Sequence, residues 1–173
     1  MLPEPEMWTA PDRTPVTIRA IGAADFELER EFVDGLSSAT GYQRLMSTRR
    51  PSADDLKRFT DIDYEREMAL IATAMVGGRE RQVGVARYVK DKIVPGEAEF
   101  AIVLADDWQR HGLGRKLLTN LLEAAKVRGV RRLVGTTLSS NSGMLALARR
   151  MGFTLALDPG SATTMILTLD VAS

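Results

Sequence analysis

The stretch EAEFAIVLADDWQRHGLGRKLLTNLLEAAKV, residues 97–127, contains two structural elements and the turn that joins them. Residues 97–104 form a short, mostly apolar run that follows turn residues, which predicts a strand of the central sheet. Leucine and alanine residues recur at helical spacing across 113–125, which predicts an amphipathic helix. The connection carries two glycines one residue apart, Gly112 and Gly114. The stretch therefore predicts a strand, a tight turn and a helix.

Hydrophobic periodicity predicts the remaining elements in the same way. Further strands are predicted at residues 16–19, 67–76, 83–90, 131–138, 153–157 and 163–169, and further helices at residues 24–36, 52–60 and 141–151. Three strands follow one another in the middle of the chain, and helices cross over later. We therefore expect an α+β fold with a mixed, mostly antiparallel sheet of about six to seven strands and about four flanking helices.

The composition of the 173-residue chain is typical of one folded domain, which we expect at residues 16–173 after an extended, poorly packed lead-in at 1–15. The 23 basic and 23 acidic residues cancel, so no overall field favours nucleic acid or an anionic membrane as partner. With no cysteine and one histidine, no metal site is expected. We expect a cytoplasmic protein because the start lacks a secretory signal pattern and no apolar run reaches roughly 20 residues.

The turn at Gly112 and Gly114 has the chemistry of an anion site. The first N–H groups of a helix have no partner within the helix and lie at the positive end of its dipole. Glycine lacks the Cβ that would keep a phosphate from the backbone, and Arg110, Arg115 and Lys116 supply positive charge. A purely structural turn is the alternative that this spacing leaves open.

Two common phosphate-binding motifs do not fit this turn. A P-loop has four residues between its glycines and a Ser or Thr after its lysine, whereas Leu117 follows Lys116 here. The dinucleotide-binding fingerprint requires a third glycine three residues after Gly114, and that position is also Leu117. The turn therefore does not belong to either of these nucleotide-binding classes.

The wider context, residues 97–153, resembles the core of the GNAT superfamily of acyl-CoA-dependent N-acyltransferases. That family carries Gln or Arg, two residues, Gly, one residue, and Gly or Ala between a strand and a helix, followed by an Asn and a Gly-Phe pair. The matching residues are Gln109, Gly112, Gly114, Asn141 and Gly152–Phe153. Residues 33–72 are also similar to the GNAT domain of bacterial protein lysine acetyltransferases, so the resemblance covers most of the chain.

The resemblance implies a GNAT-type fold in which two central strands splay apart to admit acetyl-CoA, with no metal. The pyrophosphate would lie on the backbone of the glycine turn, and the pantetheine arm would follow the strand that ends at residue 104. The residues implied to bind acetyl-CoA are Leu104, Ala105, Gln109, Arg110, His111, Gly112, Leu113, Gly114, Arg115, Asn141 and Met144.

Acetyl transfer from acetyl-CoA to an amine needs a proton acceptor, because an amine attacks a thioester only when it is neutral. Deprotonating a lysine at pH 7 costs about 4.6 kcal/mol for a pKa near 10.4. Glu99 matches the position at which the protein lysine acetyltransferases carry their catalytic glutamate. Strand alternation puts Glu97 on the same side, and the alternative for both is a solvated sheet face. As base, Glu99 would need either burial that raises its pKa or a bridging water. His111 is interpreted as a phosphate neighbour or an exposed residue.

One departure from the family concerns the proton donor for the departing thiolate. Many GNAT enzymes have a tyrosine four residues before the glycine of the Gly-Phe pair, and Ala148 stands there in this chain. The donor is therefore unassigned. Asp106 and Asp107 are interpreted as turn residues that point away from phosphate. Polar residues between predicted elements are candidates for the acceptor side, namely Tyr42, Arg44, Asp61, Asp63 and Tyr64.

Three functions are consistent with the sequence. The first is an acetyl-CoA-dependent N-acetyltransferase acting on a lysine of a protein such as an acyl-CoA synthetase, with Glu99 as general base. The second is the same chemistry on a small-molecule amine. The third is a non-catalytic acyl-CoA-binding module that senses or scaffolds. Glu99 favours an enzyme, whereas the missing tyrosine favours the module.

Overall fold

An eight-stranded mixed sheet forms the centre of the computed structural model, which describes residues 1–37 and 52–171. The strands are β1 (Glu6–Thr9), β2 (Pro15–Ala20), β3 (Glu67–Val76), β4 (Arg79–Lys90), β5 (Glu97–Leu104), β6 (Arg132–Leu138), β7 (Thr154–Leu157) and β8 (Thr164–Asp170). The α-helices of the described ranges are α1 (Phe26–Asp34), α2 (Ala53–Thr60), α3 (Leu113–Val127) and α4 (Ser142–Arg150). None of these helices is long and apolar enough to cross a membrane.

The strands follow the order β1-β2-β3-β4-β5-β6-β8-β7, and every neighbouring pair except β5–β6 is antiparallel. This arrangement confirms the expected α+β fold. The strand count exceeds the expected six to seven because Glu6–Thr9, within the proline-rich start, pairs with β2 as an edge strand. Part of the start is therefore paired in the sheet, although most of its residues are exposed. The prolines nearest to β1, Pro5 and Pro11, lie just outside it, where no ladder hydrogen bond is lost.

The two faces of the sheet carry separate apolar clusters. The larger cluster lies on the α3 side, where four leucines of one helical stripe are fully buried, namely Leu113, Leu117, Leu118 and Leu121. The smaller cluster lies on the α1 side and contains Phe32, Ile71, Val85 and Val103. Because β3 and β4 are covered on both faces, β3 is apolar at nearly every position rather than alternating, and β4 is buried without a break from Gln82 to Tyr88.

A buried polar network ties both helices of the α1 side to β4. A bulge at Val83 brings Gln82 to this side, where its amide donates to Glu29 of α1 at 2.7 Å. Arg87 of β4 donates to Glu29 at 3.0 Å and to the carbonyl of Phe59 in α2 at 3.0 Å. Burial lowers the pKa of Arg87, and the charge of Glu29 opposes that shift. Losing either ionic partner would leave a buried charge unpaired, so the network fixes the positions of α1 and α2.

Helix α2 begins with a capping box, which the sequence predicts because an acidic residue, Asp55, follows Ser52 by three positions. The Ser52 hydroxyl accepts from the backbone N–H of Asp55 at 3.1 Å, and the Asp55 carboxylate accepts from the N–H of Ser52 at 2.9 Å. Two N–H groups that the helix itself leaves unpaired are thereby satisfied.

Replacing Ser52 with alanine is expected to lower the free energy of unfolding by about 1 kcal/mol, because the hydroxyl cap of α2 is lost. Urea titration followed by circular dichroism measures this change. Ser140→Ala, at an exposed serine of the β6–α4 turn, is the matched control and should change the free energy by less than about 0.5 kcal/mol. Equal effects of the two substitutions would contradict the capping role of Ser52.

Candidate active site

A gap opens between the two parallel strands at the middle of the sheet. Strands β5 and β6 pair at three positions, Glu97–Arg132, Ala98–Leu133 and Glu99–Val134. Beyond Glu99 and Val134, both strands continue within the described residues, to Leu104 and Leu138, without pairing to each other. The strands therefore form a V that is closed at Glu99 and open at their carboxyl ends. The five residues that follow Glu99, up to Leu104, span about 16 Å of extended chain.

The loop after β5 lies at the open end of this gap. A short 3-10 turn, Asp106–Trp108, is followed by Gln109 in an extended conformation, and the side-chain amide of Gln109 donates to the carbonyl of Leu104 at 3.3 Å. Two residues of the loop then adopt the left-handed region, Arg110 at φ 67° and Gly112 at φ 86°. A non-glycine residue in this region costs about 1–3 kcal/mol, so the surrounding fold holds Arg110 under strain.

The start of α3 presents unpaired backbone donors beside this loop. The N-cap is Gly112, and the first bond of the helix runs from the N–H of Lys116 to its carbonyl at 3.2 Å. The N–H groups of Leu113, Gly114 and Arg115 precede that bond, so no turn of helix lies before them to accept. The first turn has no acidic residue and carries Arg115 and Lys116, charges that oppose the helix dipole. A bound anion would relieve this arrangement.

The second glycine of the motif is buried and serves packing. A Cβ built on Gly114 would lie 3.3 Å from a methyl of Leu147 in α4 and 3.4 Å from one of Leu104 in β5. The absence of a side chain lets α3 approach the end of β5 closely. Gly112, in contrast, is exposed, and its nearest neighbour to a built Cβ is Trp8 at 3.8 Å. Gly112 is therefore the glycine at which a ligand can approach without meeting a packed side chain.

Strand β1 flanks the same loop, a contact that no sequence pattern predicts. Glu6 pairs with Lys116 at 2.8 Å and accepts from Asn120 of α3 at 2.9 Å, and both hydrogen bonds lower the pKa of Glu6. Asp12 lies close enough to His111 for their attraction to contribute to its lowered pKa, whose main cause is its hydrogen bond with the backbone of Thr14. The positive charge of Lys116 is thus shared with Glu6.

At the closed end of the gap, the Glu99 side chain is exposed to solvent. Strand pairing places it between Val89 of β4 and Val134 of β6. The neighbour Val89 is itself 43% exposed, so this part of the α1 side is open to an incoming molecule. The Glu99 carboxylate is open to solvent, which allows a bridging water to carry a proton to it.

The side chain of Asn141 caps helix α4. Its oxygen accepts from the N–H of Met144 at 3.2 Å, and its amide donates to Thr137 of β6 at 3.1 Å. Met144 is half-buried against the larger core. Ala148 is fully buried, so the position at which the family often carries tyrosine faces the packed interior of this protein. The loop and Asn141 lie at the carboxyl ends of β5 and β6, on either side of the open gap.

The residues predicted for the acceptor side differ in their surroundings in the structure. Tyr42 and Arg44 lie outside the described residues. Asp61 and Asp63 are exposed, and Asp63 accepts from the N–H of Glu65 at 3.0 Å. The Tyr64 hydroxyl donates to the carbonyl of Ile21 and lies 3.3 Å from that of Ala69, while burial raises its pKa to about 12. Tyr64 thus has bonds within the fold, and its role in substrate binding stays a prediction.

Asp106, one of the two acids of the 3-10 turn, bonds to a segment outside the glycine loop, as expected. Its carboxylate accepts from the backbone N–H of Ser37, beyond the end of α1, at 3.1 Å. Asp107 is exposed. Among the residues of 1–37 and 52–171, no three His, Asp or Glu side chains are grouped in a way that would hold a metal ion.

A comparison with protein families agrees with this geometry, in which the loop and helices α3 and α4 lie beside the gap. The acetyltransferase (GNAT) family matches residues 39–153. The chain belongs to this family. It is therefore an acyltransferase of the GNAT class, as its relatives' names also indicate.

Individual relatives are similar over different lengths. An acetyltransferase of Pseudomonas aeruginosa is 34% identical over 152 residues, which cover 87% of this chain and 81% of that protein. The acetyltransferase Pat of Mycolicibacterium smegmatis is 30% identical over 116 residues, 67% of this chain and 34% of Pat, so the chain matches about a third of Pat. The crystal structure of the GNAT domain of S. lividans PAT superposes with a TM-score of 0.85, at 26% identity and 96% coverage of both chains.

Proposed function

We propose that this GNAT protein transfers the acetyl group of acetyl-CoA directly to a lysine amine of a protein such as an acyl-CoA synthetase, with Glu99 as general base. One observation carries the proposal. The gap between β5 and β6 closes at Glu99 and opens at the loop whose backbone donors favour an anion. A carboxylate and an anion site thus lie at opposite ends of a single channel in the sheet.

The residues present fit acetyl-CoA. The first-turn N–H groups of α3 and the exposed backbone of Gly112 suit a pyrophosphate, and Arg110 and Arg115 supply charge at its edge. The free edge of β5 offers hydrogen-bonding groups to the amides of an extended arm. Such an arm, lying along β5 from the loop, brings its thioester to the neighbourhood of Glu99.

The proposed reaction requires a neutral amine and a stabilised carbonyl oxygen. Glu99 accepts a proton from the lysine ammonium through a water molecule, and the amine nitrogen then bonds to the thioester carbon. Backbone N–H groups of the unpaired edge of β5 donate to the carbonyl oxygen as it gains negative charge. The carbon–sulfur bond breaks, and the nitrogen releases its second proton to water as the amide forms. Sulfur leaves as the thiolate of coenzyme A, and it takes its proton from water because Ala148 supplies none.

The protein acceptor is supported by two features. Residues 33–72 and 97–153 resemble GNAT domains of bacterial protein lysine acetyltransferases. In addition, Glu99 lies on an open part of the sheet beside the exposed side chain of Val89, and an exposed carboxylate can be reached by a lysine that projects from a folded protein. A small amine would be held by a more enclosed site.

An acetylation screen tests the choice of acceptor. The purified full chain with acetyl-CoA is offered purified acyl-CoA synthetases in one arm and a panel of small amines in the other. Coenzyme A release and the mass of the product are measured. We expect acetyl transfer to a synthetase lysine at a rate that exceeds the uncatalysed background by at least about a hundredfold.

Each alternative gives a different result in this screen. Product on small amines alone would reject the protein acceptor and keep the acetyltransferase. Acetyl-CoA binding without transfer to any member of either arm would favour the non-catalytic binding module. The variant Glu99→Gln, run beside the wild type, separates enzymatic transfer from spontaneous acetylation.

A further inference from the structure

The residue after Glu99 fills the opposite side of the gap. Phe100 points to the α3 side, where it is 5% exposed. Its ring lies against Gly135 of β6, so closely that a Cβ built on Gly135 would be 2.5 Å from the ring edge. The ring of Phe153 packs against it with centroids 5.1 Å apart. In the parallel register, Gly135 is the first β6 residue after Val134, the last that is paired with β5.

An acyl group at the closed end of the gap therefore meets two walls. The first is the paired backbone of Ala98–Glu99 and Leu133–Val134, which side-chain variation cannot remove. The second is the ring of Phe100 on the α3 side. Toward the α1 side, the space beside Glu99 is needed by the acceptor amine. The end of a longer acyl chain would have to occupy the volume of this ring.

We propose that Phe100 determines the acyl-chain length and restricts the enzyme to acetyl-CoA. This inference rests on the proposed function, since it concerns the acyl end of the same channel. Gly135 supports this role by making room for the ring of Phe100. Because its missing Cβ lets the ring lie over the β6 backbone, a larger residue would displace the ring from the gap.

The selectivity is tested by titrating the full chain with acetyl-CoA and with butyryl-CoA in a calorimeter. For the wild type we expect acetyl-CoA to bind more tightly by about tenfold or more, since butyryl-CoA carries two additional methylenes that find no pocket. For Phe100→Ala we expect the ratio of the two dissociation constants to shift by at least about tenfold toward butyryl-CoA. Phe100→Leu, which retains more of the packing, should shift it in the same direction by less.

The matched control is Phe32→Ala, which removes an equally buried ring, 5% exposed, from α1 on the opposite face. It should reduce thermal stability as Phe100→Ala does and leave the ratio of dissociation constants unchanged. A shift of the same size in Phe32→Ala would overturn the assignment, because general loosening would then explain it. A wild type that binds both thioesters equally would also overturn it.

A double-substitution cycle tests the contact itself. Gly135→Ala alone should lower the melting temperature, and it should do so less in the Phe100→Ala background, where the ring no longer meets the new methyl. Wild-type binding of acetyl-CoA with an unshifted chain preference in Phe100→Ala rejects the role of Phe100 and keeps the proposed function. Failure of the wild type to bind either thioester rejects both.

Discussion

Replacing Gly112 with glutamate is expected to weaken acetyl-CoA binding by more than about a hundredfold. Gly112 adopts φ 86°, which a side chain occupies only under strain, and it is the N-cap of α3. A carboxylate there would lie at the donors that we propose to receive the pyrophosphate. It would repel the phosphates and compete for the first-turn N–H groups, each worth about 1.5–3 kcal/mol to a charged acceptor. Calorimetric titration of the full chain with acetyl-CoA measures the change.

Gly129→Glu is the matched control for this prediction. Gly129 has a similar φ of 81°, follows the other end of the same helix, and has no atom within 4 Å of a built Cβ. The Gly129→Glu variant carries the same new charge and a comparable backbone strain at a site remote from the loop. We expect its affinity for acetyl-CoA to stay within about threefold of wild type. Wild-type affinity in a folded Gly112→Glu protein would contradict the assignment of the pyrophosphate site.

Elements with strong local signals were predicted correctly from the sequence. The stripe of α3, the capping box at Ser52 and the strand at 97–104 are all fixed by neighbours within a few residues. Strand β1 was missed because its pairing with β2 is a tertiary contact, and four prolines near it favour an unpacked segment. A short edge strand has little periodicity of its own, so sequence patterns understate it.

The site shows the same division between local and distant determinants. The glycine turn is predicted to bind an anion because both glycines lie at the start of the helix, a feature that is local in the sequence. The contacts of Glu6 with Lys116 and of Phe100 with Gly135 join residues far apart in the chain, and no local pattern signals them. Only the family resemblance predicts the opening between β5 and β6, because the sequence of each strand shows no interruption. Strand alternation predicted the side on which Glu99 lies, whereas its exposure depends on where α1 and α2 end.

The proposed role of Glu99 as general base predicts a second large effect. Glu99→Gln should reduce turnover of the acetylated acceptor by about a hundredfold or more, because the amide keeps the shape of the side chain but cannot accept the proton. The affinity for acetyl-CoA should be unchanged, since Glu99 lies at the far end of the gap from the loop. Initial rates at saturating acetyl-CoA and the calorimetric dissociation constant together separate these two quantities.

The pH dependence distinguishes a lost base from a disturbed site. As the pH rises toward the lysine pKa near 10.4, a growing fraction of the acceptor is already neutral and needs no base. The deficit of Glu99→Gln relative to wild type should therefore shrink with rising pH, whereas a packing defect would give a constant deficit. Glu97→Gln is the matched control, on the same strand face but beside the closed part of the sheet, where Glu97 pairs with Arg132. A comparable loss in Glu97→Gln, or a Glu99→Gln deficit that does not vary with pH, would assign the proton transfer to another group.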